Sequence, residues 1–521
     1  MTDLYPNLPG YQTVLTGGNM VITSNVATTQ SVLLIGTAVD GPVNQPIRIT
    51  SLTQAEAVFG PMAAGGVRNG STLVSGFQEA VEAGCQDVRL LRYSGVKATA
   101  TIADTSTTPV DVIKLTALNA GELYHTMTAE IDTSGDGCIF TLTPPVGKGT
   151  PLIITVADGT TVEALVALIN EDPANAFVYA EVLGSSFNVA CETLADATET
   201  FAGGDDQLVN SVELQKDLLH GKTVGEVYTM GTYDVLKDYN VDLIGLLGVY
   251  ADTGGTDTET VFAEKLAEHC AAMSAKDNVT IGVMSVSPFA DLSLVGISGN
   301  IARLIALDHF YGDFSESNEL EAGGEDEGRF LNILVGEGFF RSSKVTAGEY
   351  KNTLVAAYAG FISALAPQSS TTNKQLPNVK RLAYTLSLSQ LNDLTGKKYT
   401  TVRQKDNGVY VVSGITCAQD GNVYQRLSSV RIIGIVVDTI VRAADPFIGE
   451  PNSLINRNTL HTAIKSSLDA LQSVGIITNY KFVLFASTSD LVNGILNVEL
   501  EVVPAFELRK IKTTITLRTN L

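Results

Sequence analysis

The stretch SVLLIGTAVDGP, residues 31–42, decides the fold class. It reads as an apolar strand closed by a Gly-Pro turn. Downstream, Leu73, Phe77 and Val81 recur four apart, the spacing of one helical face, with Ser71 as N-cap and Gly84 as C-cap. QDVRLLRY, residues 86–93, is the next strand, so residues 20–95 contain a β-α-β unit. In the other direction, residues 1–19 are polar, carry Pro6, Pro9, Gly10, Gly17 and Gly18, and read as an extended arm.

Residues 96–203 change character. They are rich in Thr, Ala and Asp, with alternating runs such as KATATIA and GCIFTLTP and one helix, TVEALVALIN, as expected of a separate β-rich module. Strand and helix then alternate again: VDLIGLLGVYA, a helix with Phe262, Leu266, Cys270 and Met273 on one stripe, and NVTIGVMSVSP. The module is therefore expected to interrupt an α/β core made of 20–95 and 204–367. Near the end of that core, Thr346 and Glu349 predict a capping box for a helix carrying Tyr350, Leu354, Tyr358, Phe361 and Leu365, stopped by Pro367. QSSTTNKQLP, residues 368–377, reads as a linker. An α+β domain is expected over 378–509, with a helix from Asn458 whose buried stripe is Leu460, Ile464, Leu468, Leu471 and Val474. The chain closes on KIKTTITLRTNL, residues 510–521, a strand with one apolar face.

At 521 residues the chain is long enough for several packed cores. It holds no apolar run near the roughly 18 residues that span a bilayer, and its first residues, MTDLYPNLPGYQ, have neither the basic nor the apolar region of a secretory signal. Folding in cytosol is expected, with Cys85, Cys138, Cys191, Cys270 and Cys417 as buried thiols. The net charge of -22 argues against binding nucleic acid or anionic lipid, since phosphate contacts need a basic surface. Its distribution is uneven. Residues 1–373 hold 17 Lys and Arg against 45 Asp and Glu, a balance of -28, whereas 374–521 hold 17 against 11, a balance of +6.

Motifs that carry chemistry are mostly missing. His125, His220, His269, His309 and His461 lie far apart without metal-ligand spacing. Gly296-Ile297-Ser298-Gly299 lacks the spacing of a nucleophile elbow, and Gly221-Lys222-Thr223 has Lys216 where a phosphate loop needs its first glycine. YADTGGTDTET could seat an anion between strand and helix, but Asp252 and Asp257 would repel phosphate. DTSGDG, residues 132–137, opens like a calcium loop yet has Thr143 where the twelfth position requires Glu, so a hairpin turn is expected. The acidic run at 313–328 reads as a solvated loop. No catalytic residue, cofactor or metal site is expected, and a structural role fits that absence.

Three stretches resemble the contractile tail sheath family of bacteriophages. SVLLIGTAVDGPVNQPIRITSLTQAEAVFG resembles its strand, Gly-Pro turn and segment ending in Phe-Gly. FQEAVEAGCQDVRLLRYSG resembles its helix, glycine and Arg-bearing strand, with Cys85 where a second glycine is commoner. KDNGVYVVSGITC, then RAADPFIGEPNSLINRNTLHTAIKSSLDALQSVGII, then VELEVVPAFELRKIKTTITL resemble its C-terminal order of Asn-Gly hairpin, Gly-Glu-Pro-Asn segment before a helix, and Pro between closing strands. LNAGELYHTMTAEI, TVEALVALIN and ETFAGGDD look like the β-sandwich module that many of these sheaths carry.

The resemblance implies a non-enzymatic homo-oligomer: stacked six-fold rings around a tail tube, meeting a baseplate and a tail terminator, assembled in the host cytoplasm into a virion tail that contracts. It also implies that terminal arms add strands to a neighbour's sheet, with Val14, Leu15, Ile511, Thr513, Ile515 and Leu517 carrying the pairing. Pairing of the closing strand with VELEV in its own domain stays open beside donation. Arg457, His461 and Lys465 fall four apart on one helix face of the basic domain and are expected to face the tube. Two other readings remain: the sheath of a phage-like contractile injection machine, and, from another class, an α/β hydrolase or nucleotide-binding enzyme built on the 242–290 βαβ unit.

Overall fold

The computed structural model describes residues 30–62, 70–184, 186–208, 211–225, 227–253, 261–275, 279–307, 327–419 and 421–509. Strands β1 (Val32–Gly36), β2 (Ile47–Ile49), β3 (Val88–Arg92), β4 (Leu243–Tyr250), β5 (Ile281–Ser285), β6 (Leu331–Val335), β7 (Tyr399–Lys405) and β8 (Gly408–Val411) form one sheet in the order β2-β3-β1-β4-β5-β6-β7-β8. The six inner strands run parallel, and antiparallel β2 and β8 close the edges. Every residue of β1, β5 and β6 is buried. That is why VLLIG and IGVMS are nearly continuous apolar runs: a parallel sheet is covered on both faces.

Helices α1 (Leu73–Glu82), α2 (Val261–Ser274), α3 (Leu294–Ala306) and α4 (Val355–Ala364) surround this sheet. A Cβ at Gly245 would lie 3.6 and 3.9 Å from Val355 and Ala359 of α4, whereas one at Gly282 would meet Leu266 and Cys270 of α2. Gly282 is level with Ile244, the residue before Gly245, so α4 and α2 lie on opposite faces. The approach of α1 to α4 is closer still, since a Cβ on Gly360 would stand 2.3 Å from the Ala80 carbonyl oxygen.

The predicted capping box at Thr346 and Glu349 does not form. Glu349–Thr353 is a strand, paired with Glu337–Arg341 in a three-stranded sheet completed by Val379–Leu382, and α4 starts at Val355 without a side-chain cap. Residues 355–363 of α4 are all buried. With no polar face, its periodicity carried no information about where the helix begins.

Residues 98–201 bury a cluster of their own, distinct from the one that runs from Val32 to Leu500. A four-stranded sheet (Thr128–Asp132, Cys138–Thr143, Leu152–Val156, Ala197–Thr200) and a three-stranded sheet (Lys97–Ala103, Asp111–Ala120, Val178–Val182) enclose it, with the helix Val162–Glu171. DTSGDG lies at its predicted hairpin turn, where the Asp132 carboxylate accepts from the Ser134 amide and hydroxyl. The module is joined to the main sheet through Arg92. Fully buried at the end of β3, it donates to the carbonyls of Gly41, Ala120 and Asp206 at 3.2, 2.7 and 3.1 Å. Beside it, buried Asp40 accepts from the Tyr124 hydroxyl at 2.7 Å and pairs with Lys148 at 2.5 Å.

The C-terminal third is less separate than the sequence implied. β7 and β8 fall inside 378–509 yet belong to the main sheet, and the helices after them share its buried cluster. The strand was hard to recognise because Thr400 and Thr401 are buried polar residues, Thr400 bonding the Asn332 amide of β6 at 3.0 Å. Residues 368–377 are likewise packed: Thr371 and Leu376 are buried, and Thr371 meets the Tyr358 hydroxyl at 3.0 Å.

Glu79 of α1 is fully buried, with one carboxylate oxygen accepting from Tyr350 (3.0 Å) and Asn352 (2.7 Å) while the other has no partner. Burial pushes it up to about 8, against which the two hydrogen bonds pull down. Below the unfolded value of 4.5 both states hold the proton and there is no penalty. As pH rises from 4.5 towards 8 the unfolded chain releases it and the native state does not, so stability falls across that window. Wild type is expected to lose on the order of a few kcal/mol between pH 5 and 8.5 relative to Glu79→Gln, measured as the difference in pH slope of urea unfolding.

Candidate assembly site

Helix α5 (Leu427–Ala444) and helix α6 (Leu454–Ser473) lead into a two-stranded hairpin, β9 (Ile477–Phe485) and β10 (Asn497–Pro504). α6 starts earlier than Asn458: Ser453 is its N-cap, with Oγ accepting from the Asn456 amide at 3.2 Å. Its first turn exposes Leu454 and Ile455, so the buried stripe that signals a helix begins only at Leu460. Leu460, Ile464, Leu468 and Leu471 then pack on the hairpin, whose inward row is Val498, Leu500 and Val502 on β10 with Tyr480, Phe482 and Leu484 on β9. Val474, expected in the stripe, is exposed as the C-cap, and Gly475 follows at φ 75°.

The other hairpin face carries Lys481, Val483, Phe485, Glu499, Glu501 and Val503, all exposed. Among the described residues β9 and β10 pair only with each other. Each outer edge therefore presents alternate backbone N–H and C=O groups, the template that a further strand would satisfy. Isolated hairpins are marginal in water, and here α6 supplies the buried face that holds the strands in register.

The two ends of the described chain leave from neighbouring points. Arg431 of α5, fully buried and driven down to about 10 by burial, donates to Gln30 at 2.9 Å and to the carbonyls of Leu365, Ala366 and Ser369. Three residues further along, the Thr372 hydroxyl donates to Glu507 at 3.5 Å. After Pro504 the chain turns away from β10: Arg426 lies over the Phe506 ring at 5.1 Å, and Arg509 donates to the Ser413 hydroxyl. Val14, Leu15, Ile511, Thr513, Ile515 and Leu517 lie outside the described residues, as does 308–326, most of the acidic run.

The stripe Arg457, His461 and Lys465 borders the hairpin. His461 stacks on Phe482 with ring centroids 4.7 Å apart, Lys465 pairs with Asp469 at 2.6 Å, and Asp469 also accepts from Tyr480. Arg457 donates to the neutral Asn452 side chain at 2.6 Å. Their mutual hydrogen bond holds the Lys465 ammonium above its ordinary pKa and the Asp469 carboxyl below its own, at an exposed site where such pairs contribute little to stability.

Elsewhere the residues singled out for chemistry have structural partners. Lys222 sits in an exposed hairpin, Lys222–Val224 with Val227–Thr229, and pairs with Asp217. Asp252, at the mouth of the 242–290 unit, takes Arg303 at 2.6 Å and the Ser287 amide and hydroxyl. His220 and His269, distant in sequence, are brought together around Tyr233, which stacks on them at 5.7 and 4.8 Å; burial pushes His220 down to about 4. Spacing gave no hint of this, because the contact is made between helices. Among the described residues no three His, Cys, Asp or Glu side chains are placed to hold a metal ion, and no helix is long and apolar enough to cross a membrane.

The mixed α/β fold of this chain is similar to that of solved sheath tail proteins. One, from Listeria innocua, is similar at TM-score 0.57 and 13% identity, covering 93% of this chain and 94% of its own. Another, from Desulfitobacterium hafniense, is similar at TM-score 0.53 and 13% identity, covering 92% and 94%. No family model matches the chain, and no curated protein matches it.

The α6 stripe should hold the hairpin. Leu468→Ala is expected to cost about 2–5 kcal/mol and to raise amide exchange along β9 and β10. Lys465→Ala should leave the urea midpoint and the exchange of β9 and β10 nearly unchanged by the same measurements.

Proposed function

We propose that this protein is the sheath subunit of a contractile phage tail. It polymerises as stacked rings around a tail tube, between a baseplate and a terminator, and contracts to drive the tube through the host envelope. The observation that carries the reading is the C-terminal hairpin: two open backbone edges, held out on α6, in a fold shared over nearly the whole chain with sheath tail proteins. Assembly takes place in the host cytoplasm and the product is part of the virion.

In this reading the arms 1–19 and 510–521 add strands to the hairpin of a neighbouring copy through Val14, Leu15, Ile511, Thr513, Ile515 and Leu517. One feature supports donation over pairing with VELEV at home: residues 505–509 lead towards Ser413 instead of turning back along β10. A strand shared between subunits is a hinge that survives rotation, because its hydrogen bonds lie along the edge and are indifferent to how the two bodies pack. Contraction then needs no nucleotide, only two packings of different energy. The stripe Arg457, His461 and Lys465 faces the tube, with Arg457 as the cation not held by a carboxylate, so that contact is weak and screenable.

Two experiments test this. Deleting 510–521 should leave a folded chain, by circular dichroism and light scattering, that forms no tubes in negative-stain micrographs; tubes of normal length from the truncated chain would refute strand donation. Reversing charge at Arg457 and Lys465 should weaken co-assembly with tubes in a salt-dependent way, read by co-sedimentation; unchanged binding at low salt would move the tube contact elsewhere.

A further inference from the structure

Among the described residues, the buried apolar cluster of 98–201 shares no member with that of the main sheet, so no common core welds the two bodies. The chain crosses between them twice, and the crossings run side by side. The Val96 amide donates to the Asp205 carbonyl at 2.8 Å, the Asp205 amide donates back to the Val96 carbonyl at 3.1 Å, and the Gly95 amide donates to the Gln207 side chain at 2.8 Å. Arg92 stands at their base. Gly95, at φ 134°, leaves room for its guanidinium, since a Cβ there would lie 2.6 Å from Nη2. A second set of contacts is made by segments that do not cross. Asp40, buried in the core loop after β1, accepts at Oδ1 from Tyr124 in the turn Glu122–Thr126 and pairs at Oδ2 with Lys148, from the loop between Cys138–Thr143 and Leu152–Val156. Lys148 also donates to the Ala57 carbonyl of the helix Leu52–Phe59 at 3.4 Å. The turn lies directly on the core loop: a Cβ on Gly121 would stand 2.7 Å from the Val39 carbonyl oxygen.

We propose that Asp40, Tyr124 and Lys148 form a latch that holds the module and the main sheet as one body, and that releasing it lets the module turn as a unit on the Arg92 crossings. The inference concerns this joint and does not rest on the sheath reading. Arg92 is placed as the pivot, because it donates at once to a core carbonyl, Gly41, and to Ala120 and Asp206 on the module side. The crossings are hydrogen-bonded mainly to each other, so they turn together without being broken. The latch is different in kind. Both of its module-side bonds converge on one core carboxylate, whose remaining partner is the Gly41 amide of its own loop at 2.7 Å. A buried carboxylate that loses its cation and its hydroxyl is stabilised by moving into water, and opening the joint supplies that water. Opening also exposes polar and charged groups more than apolar ones, so no large hydrophobic loss opposes it. Two bodies with separate cores and a small polar contact move relative to each other unless something specific holds them.

The test is a distance between the two bodies in the full-length protein. Spin labels are attached through Ser134→Cys, at an exposed turn of the module, and Ser343→Cys, exposed on the core; the native cysteines are buried. Pulsed electron paramagnetic resonance should give one narrow distance with the latch intact. Tyr124→Phe with Lys148→Met should add a second distance, while hydrogen exchange of the strand Cys138–Thr143 stays as slow as before. Tyr124→Phe with Lys148→Arg, which keeps the cation for Asp40, should return the population towards the single distance. Lys114→Met, which removes an ion pair to Glu181 inside the module, should leave the distance unchanged. One unaltered distance in the Tyr124→Phe, Lys148→Met protein would overturn the proposal. So would faster exchange throughout 98–201 in that protein, which would assign these contacts to the module's fold, or a second distance already present before any latch residue is changed.

Discussion

Backbone hydrogen bonding at the β9–β10 hairpin is the constraint on which the rest depends. A strand pair satisfies its inner edges and leaves its outer ones to water or to another chain. In most proteins such edges are blunted by a bulge, a helix or buried charge. Here α6 covers one face, both outer edges lack a neighbouring strand among the described residues, and an exposed row of Val483, Phe485 and Val503 lies beside Lys481, Glu499 and Glu501. Beyond an irregularity between Ile477 and Asn479, the ladder keeps register over seven pairs, and such an edge is suited to accept a strand. Gln30 and Glu507, at and near the two ends of the described chain, are tied through Arg431 and Thr372 to one segment, 365–372.

The main sheet has the opposite property. Its strands are sealed by α2 and α4, its edges end in antiparallel β2 and β8, and its contacts with the module run through a fully buried arginine. Breaking such a network by removing one partner costs far more than rearranging exposed contacts. A rigid body with open-edged attachment points is the mechanical pattern that a contracting lattice needs: large subunit rotations, with deformation confined to the links.

Much of this was legible in the sequence where packing imposes a simple period. The runs at 32–35, 243–247 and 281–284 are apolar because both faces are covered, and the α6 stripe from Leu460 to Leu471 is apolar because one is. The change of composition read over 96–203 spans the residues 98–201 that bury a cluster of their own. What stayed hidden were elements whose pattern is broken by burial of polar groups or by lack of a polar face. β7 buries Thr400 and Thr401, α4 is buried over 355–363, and the segment 368–377 looks like a linker because it is rich in Ser, Thr and Asn, although Ser370, Thr371 and Thr372 hydrogen-bond within the protein. Ser453 carries no legible cap signal because exposed Leu454 and Ile455 precede any stripe. The proximity of His220 and His269 arises from tertiary contact and has no local signal.

Strand sharing is tested most directly by a cryo-EM reconstruction of tubes formed from the purified full-length protein, at a resolution that traces backbone along the hairpin. It should show at least one strand from a neighbouring subunit hydrogen-bonded to an outer edge of β9 or β10. A lattice in which residues 510–521 pair with β10 of their own subunit, or in which both edges remain bare, would contradict it.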